Sequence, residues 1–150
     1  MKSFLYTMLL SMLPVVELRG GIPLGVANGL DYHVAFIAAV IGTMIPVPFI
    51  IRFTRRVLNF LKRNIKGLRE TLERLEEKIH IKSDIVRKYQ KIGLFILVAI
   101  PLPGTGAWTG SMVASFLDIR LKDAILPIAL GVVAAGMIIV FLTYGVSTAI

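Results

Sequence analysis

Glu17 and Arg19 are the only charged residues between Phe4 and Leu30. At membrane depth either charge is costly and needs a partner or water. Two residues apart, they do not share a face of a regular helix, but the Gly20, Gly21 and Pro23 that follow allow a turn at which they converge. Glu17 there is a carboxylate able to take a proton or a cation. Arg19 is either its partner or an anchor for a phosphate or carboxylate on a solute. The bland alternative is an ion pair that only pins a hairpin tip.

A second constellation follows in Pro101-Leu102-Pro103-Gly104-Thr105-Gly106-Ala107-Trp108-Thr109-Gly110, inside 26 uncharged residues from Ile92 to Leu117. Its length suits a membrane, yet two prolines and three glycines forbid a regular helix through its middle. Non-helical backbone at that depth survives only where protein or a water-filled cavity satisfies its polar groups. Thr105 supplies a hydroxyl and Trp108 one ring donor. A helix starting near Gly104 or Thr105 would aim its free N–H groups at an anion. Trp108 fits an interfacial aromatic belt equally well. Gly20, Gly21, Gly25 and Gly29 in the first stretch, with Gly106 and Gly110 in the second, have the small-residue spacing that lets helices approach closely.

Other chemistry is absent from the chain. It has no cysteine, so neither a disulfide nor a thiolate site is possible. His33 and His80 lack companions at metal-ligand spacing, and no catalytic triad, carboxylate pair or phosphate loop is present. The sequence predicts neither an enzyme nor a bound metal or cofactor.

The elements that hold these residues are membrane elements. Hydrophobic residues make up 56% of the chain, only 17% are charged, and mean hydropathy is +0.79, which excludes a soluble domain with one core. Thirteen of the 17 Lys and Arg lie between Arg52 and Lys91. Charge gathered in one short loop places that loop in the cytoplasm and both termini outside a plasma membrane. The same charge attracts lipid headgroups; without interleaved aromatic motifs it does not indicate nucleic acid.

Residues 1–31 are expected to form a re-entrant hairpin with arms Phe4 to Val16, too short to span, and Leu24 to Leu30, turning at the Gly-rich stretch Glu17 to Pro23. Residues 33–51 form a transmembrane helix, kinked or ended by Pro46 and Pro48. Residues 52–91 form a basic amphipathic helix, and residues 92–117 a second hairpin. A second span covers 124–150, with Pro127 in its first turn. Pro14 to Asp31 and Pro101 to Asp118 are each 17 residues, so the order hairpin, span repeats. One span between the halves makes the second hairpin enter from the opposite face, an inverted repeat of the kind transporters use.

Between the halves, Leu58, Leu61, Ile65, Leu68, Leu72, Leu75 and Ile79 recur at alternating spacings of three and four. This stripe suits a dimerising coiled coil, or a helix lying along the membrane interface. Lys66–Glu70 and Glu70–Arg74 are spaced to support it, and Ser83 or Asp84 is placed to cap a following short helix.

Glu17-Leu18-Arg19-Gly20-Gly21-Ile22-Pro23 and the segment Pro101 to Trp108 resemble the two signatures of the small multidrug export protein family. The resemblance covers nearly the whole chain. That family in turn resembles the DedA superfamily, whose two facing re-entrant hairpins are linked to proton-dependent lipid-carrier transport and, in eukaryotic relatives, to phospholipid scrambling. Here Gly104-Thr105-Gly106 stands where DedA proteins carry a second acid.

The expected molecule is therefore an all-α integral membrane protein with two opposed re-entrant hairpins and two spans, acting as a homodimer. Its expected function is proton-coupled transport of an amphipathic or anionic solute, with Glu17 titrating and Arg19 anchoring. A lipid flippase or scramblase and a non-transporting scaffold are the alternatives.

Overall fold

The computed structural model describes residues 1–80 and 83–145; the side chains of residues 72, 75, 76, 78–80 and 83–87 lie outside that description. Among the described residues every regular element is helical. In order they are α1 (Lys2–Ser11), α2 (Glu17–Ala27), α3 (Tyr32–Met44), α4 (Val47–Asn64), α5 (Lys66–His80), α6 (Ser83–Ala99), α7 (Ala107–Phe116) and α8 (Leu121–Val140), with a π-helical turn at Phe141–Gly145.

Two helices, Tyr32–Asn64 and Leu121–Gly145, are long and apolar enough to cross a membrane. The first bends at Ile45 and Pro46, as the prolines predict, and Pro48 falls in the first turn of α4, where its missing N–H costs nothing. The second begins at Leu121, three residues earlier than expected. Pro127 therefore lies inside α8 and not in its first turn, and Lys122 and Asp123 are helical.

The first 31 residues form an antiparallel helical pair. Thr7 and Ser11 of α1 face Gly25 and Gly21 of α2, and Gly42 of α3 sits on the main chain of Met8. These glycines and hydroxyls give α1, α2 and α3 backbone-close packing, as small residues do between membrane helices. Ser11 Oγ donates to the Thr7 carbonyl at 2.8 Å, and Thr43 Oγ1 donates to the Ser11 carbonyl at 3.3 Å.

The turn of this pair differs from expectation. It spans 12–16 and contains Pro14, whereas Gly20, Gly21 and Pro23 lie within α2. Glu17 starts the helix with a left-handed backbone, φ 41°, a conformation sparsely populated by side-chain-bearing residues.

The second pair, α6 and α7, turns through 100–106, with Pro101, Pro103, Gly104 and Gly106 all in the turn. Gly110 packs on Val98 and Gly131 of α8 on the Phe95 carbonyl and Val98. The apolar core joins these elements around Leu18, Ile22, Val47, Ile51, Leu94, Val98, Ile128 and Val132.

The α2 and α7 C-termini are built alike. Leu30 N–H bonds to the Gly25 carbonyl and Gly29 N–H to Val26, just as Ile119 bonds to Ala114 and Asp118 to Ser115. Both are Schellman closures, with Gly29 (φ 83°) and Asp118 (φ 52°) left-handed. The next helix then starts from Asp31 (ψ 145°) or Arg120 (ψ 143°). Gly21 and Gly110, Gly29 and Asp118, and Gly42 and Gly131 are all 89 residues apart. This register differs by two residues from the Pro14–Asp31 and Pro101–Asp118 spacing, and it pairs Asp31 with Arg120.

The basic stretch 52–91 is not one helix. It comprises the outer part of α4, α5 and the start of α6, and extended backbone at Ile65 (φ −120°, ψ 101°) breaks it. The break interrupts the expected heptad after Leu61, and the side chains of Leu72, Leu75 and Ile79 lie outside the described residues. On α5 the ion pair that forms is Arg69–Glu73 at 2.8 Å. Ser83, expected with Asp84 as a possible cap of a short helix, is instead the first residue of α6, which runs 17 residues to the second turn.

Candidate functional site

The turns of the two helical pairs meet tip to tip, and all four proposed binding residues lie at the junction. The contacts follow from how α7 begins. Its N-cap is Gly106, whose backbone (φ 147°, ψ −166°) is a region essentially restricted to glycine and which has no side chain to accept from the first helical N–H groups. Glu17 supplies that acceptor from the other half of the chain. Its Oε1 receives the Trp108 N–H at 3.1 Å. A carboxylate at a helix N-terminus is favoured both by the free donors and by the helix dipole.

Gly106 also makes room for the carboxylate. A Cβ built there would collide with Glu17 Oε2. Glu17 itself is 5% exposed, so its charge depends on protein groups for solvation. Its left-handed backbone and the tight seat at Gly106 are two unusual conformations meeting at one contact.

Arg19 serves the same junction one helical step further on. Its guanidinium donates to the Thr105 carbonyl and, at 3.1 Å, to Thr105 Oγ1. Thr105 in turn organises the second turn: Oγ1 accepts from Leu102 N–H at 3.2 Å and lies 2.7 Å from the Ile100 carbonyl. Thr109 Oγ1 donates to the Gly104 carbonyl at 2.8 Å. The Trp108 indole reaches back to the Met12 carbonyl at 3.2 Å, so its ring is in the junction.

Three expectations change on this geometry. Glu17 and Arg19 lie on the first turn of α2 and not at a glycine turn, and each has its direct hydrogen bonds elsewhere, Glu17 with α7 and Arg19 with Thr105. The second-half helix begins at Ala107, two to three residues later than Gly104 or Thr105. Its N-terminus is already occupied by the Glu17 carboxyl group. Of the glycines, Gly21, Gly25 and Gly110 pack helices, Gly20 lies only against Val16 of its own first turn, and Gly104 (φ 84°) and Gly106 shape the junction.

The Met12 carbonyl was not foreseeable as a partner, since a backbone acceptor leaves no mark in side-chain pattern. Arg55 is another such contact. It donates to the Ile119 carbonyl and lies 3.9 Å from Asp118, tying α4 to the turn before α8. Asp123, across the same turn, pairs with Lys91 at 2.8 Å. Among the described residues no group of three His, Asp or Glu is placed to hold a metal.

Among the described residues the chain is all-helical, with two helices long and apolar enough to cross a membrane and a buried Glu17 carboxyl group between the turns of two helical pairs. The class comes from comparison with known families: the family described as putative small multi-drug export protein matches residues 17–138, and the chain belongs to it. Neither the curated proteins nor the solved structures contain a match.

Proposed function

We propose that the chain is a small proton-coupled exporter of an amphipathic or anionic solute, and that the junction between the two helical pairs is its gate. The observation that carries this reading is the Glu17 carboxylate capping α7 from the other half of the chain. An ionised Glu17 holds the tips together. A protonated Glu17 accepts more weakly and no longer complements the helix dipole, so the tips part. The freed α7 N-terminus and Arg19 then receive the solute's anionic group, and loss of the proton on the other side closes the gate.

In this reading the pairs are re-entrant hairpins entering from opposite membrane faces, related by an inverted repeat. Helix length supports it. α1, α2 and α7 have 10, 11 and 10 residues, or about 15 Å each at 1.5 Å per residue, half the ~30 Å hydrocarbon core. The fourth arm, α6, has 17 residues, and only the part of it from Ile92 onward matches the 10 residues of α7; with that part as its arm, the second hairpin meeting the first tip to tip fills one membrane thickness. The shared 89-residue register supports it too, because Glu17 and Gly106 are themselves 89 residues apart. Equivalent positions that touch are what a two-fold axis through the junction requires. A second copy of the chain would complete the wall around the cavity.

The test is transport in proteoliposomes under an imposed pH gradient, with a panel of lipophilic ions and phosphate-bearing lipid analogues. The wild type is expected to drive movement that Glu17→Gln loses. Movement indifferent to both gradient and substitution would replace this reading with a DedA-like lipid groove, and Glu17 would be a structural cap.

A further inference from the structure

Helix α4 presents along its length, from Phe49 to Arg63, a face that neither the core nor the gate uses. Residues Val47, Ile50 and Ile51 bury the start of the helix. Arg55 then fixes its rotation by donating to the Ile119 carbonyl, and Ser115 Oγ donates to the Ile51 carbonyl at 3.1 Å. With rotation fixed, Phe49, Phe53 and Phe60 point away from the protein, at 69%, 69% and 63% exposure. Arg52, Arg56 and Arg63 are exposed beside them.

Helical geometry makes these two sets adjacent stripes. At 3.6 residues per turn the three phenylalanines fall within an arc of about 40°, and the three arginines within another of about 40°, with centres about 60° apart. Val57 joins the apolar stripe at its edge, and it too is exposed. No acid occurs between Asp31 and Glu70, so nothing on α4 offsets the positive stripe. Past the break at Ile65 the character changes: α5 carries Glu70, Glu73, Glu76 and Glu77 among its basic residues.

We infer that α4 from Phe49 to Arg63 lies in the membrane interface, with its phenylalanines in the acyl region and Arg52, Arg56 and Arg63 on the headgroups of anionic phospholipids. An apolar face flanked by uncompensated arginine is the composition that seats a helix there. A partner helix would be served by an apolar stripe with mixed charge on both flanks, whereas here one flank is purely cationic. Seating α4 would hold the Ile45–Pro46 bend and, through Arg55, the turn that precedes α8. The anionic lipid thereby becomes a determinant of how the second half is oriented.

The absence of cysteine makes the test direct on the full chain. Spin labels placed by Phe60→Cys and, separately, Asn59→Cys are read for collision with oxygen and with a water-soluble nickel chelate. The protein is reconstituted in vesicles of phosphatidylcholine, with or without phosphatidylglycerol. In the anionic vesicles the label at 60 should meet oxygen and escape nickel, and the label at 59 should meet nickel. Each of Arg52→Gln, Arg56→Gln and Arg63→Gln should lower the ratio of seated to detached α4 about fivefold in those vesicles. Three results would overturn the inference: a label at 60 open to nickel in both vesicles, one shielded from both reagents (a protein partner or a second copy covers the face), or seating that ignores lipid charge.

Discussion

Glu17 and Gly106 hold the same place in two similarly built helical units, 89 residues apart, and the carboxylate of one rests on the α-carbon of the other. Each begins a helix with backbone that most residues avoid, φ 41° and φ 147°. One position has a side chain that accepts a hydrogen bond, and the other has none. The asymmetry lets one residue cap the other's helix.

Gly106→Ala should therefore cost far more than Gly104→Ala. At 106 a Cβ meets the Glu17 carboxylate and the backbone lies in a glycine-only region, so a loss of about 3 kcal/mol is expected. At 104 the added carbon meets nothing within 4 Å, leaving only the left-handed backbone at about 1 kcal/mol. Thermal unfolding of the two variants in detergent checks the order; equal midpoints would mean that Glu17 does not sit on Gly106.

Arg19→Lys should not substitute for arginine. The guanidinium reaches both the carbonyl and the hydroxyl of Thr105, a forked contact that an ammonium on a flexible stem matches poorly. A loss of about 1–2 kcal/mol is expected for Arg19→Lys and for Thr105→Val, with the double variant losing less than the sum. Strict additivity in the same unfolding measurement would separate the two residues.

Much of this was legible in the sequence, and the reasons differ by element. The prolines at 46, 48, 101 and 103 placed the bend and the second turn, because a missing N–H acts locally. Glu17, Arg19, Thr105 and Trp108 stood out as polar groups in apolar surroundings. The first turn was misplaced because Gly20 and Gly21 suggest a turn locally, yet both are helical and Gly21 serves close approach, lying against Ser11. The trans cap was illegible, since it depends on a backbone donor at Trp108, and the 89-residue spacing was hidden because the positions it relates share backbone conformation (Gly29 with Asp118, Asp31 with Arg120) and not residue type.

Helical glycines should separate by what surrounds them. Gly42→Ala drives a methyl into the Met8 main chain, which cannot move aside as a side chain can. It should destabilise by about 1–3 kcal/mol through parting α1 from α3. Gly93→Ala, inside α6 with nothing within 4 Å, should stabilise by about 0.5–1 kcal/mol through helix propensity. Unfolding midpoints moving in the same direction would contradict the packing of α1 on α3.

Opposed hairpins require the start of the chain and the basic loop to face different compartments. Lys2→Cys should be labelled by an impermeant maleimide in sealed cells, and Asn64→Cys only after the membrane is opened. Labelling of both from one side would remove the inverted arrangement.

The most direct test of the gate uses Trp108, the sole tryptophan, whose indole bonds across the junction to Met12. Its emission is followed through an acid titration of reconstituted protein, wild type against Glu17→Gln. The account predicts a shift of Trp108 emission in the wild type as protonation of Glu17 parts the tips, and no pH-dependent shift in the variant. An emission that ignores pH in the wild type, or that moves identically in Glu17→Gln, would contradict a gate held by the Glu17 carboxylate.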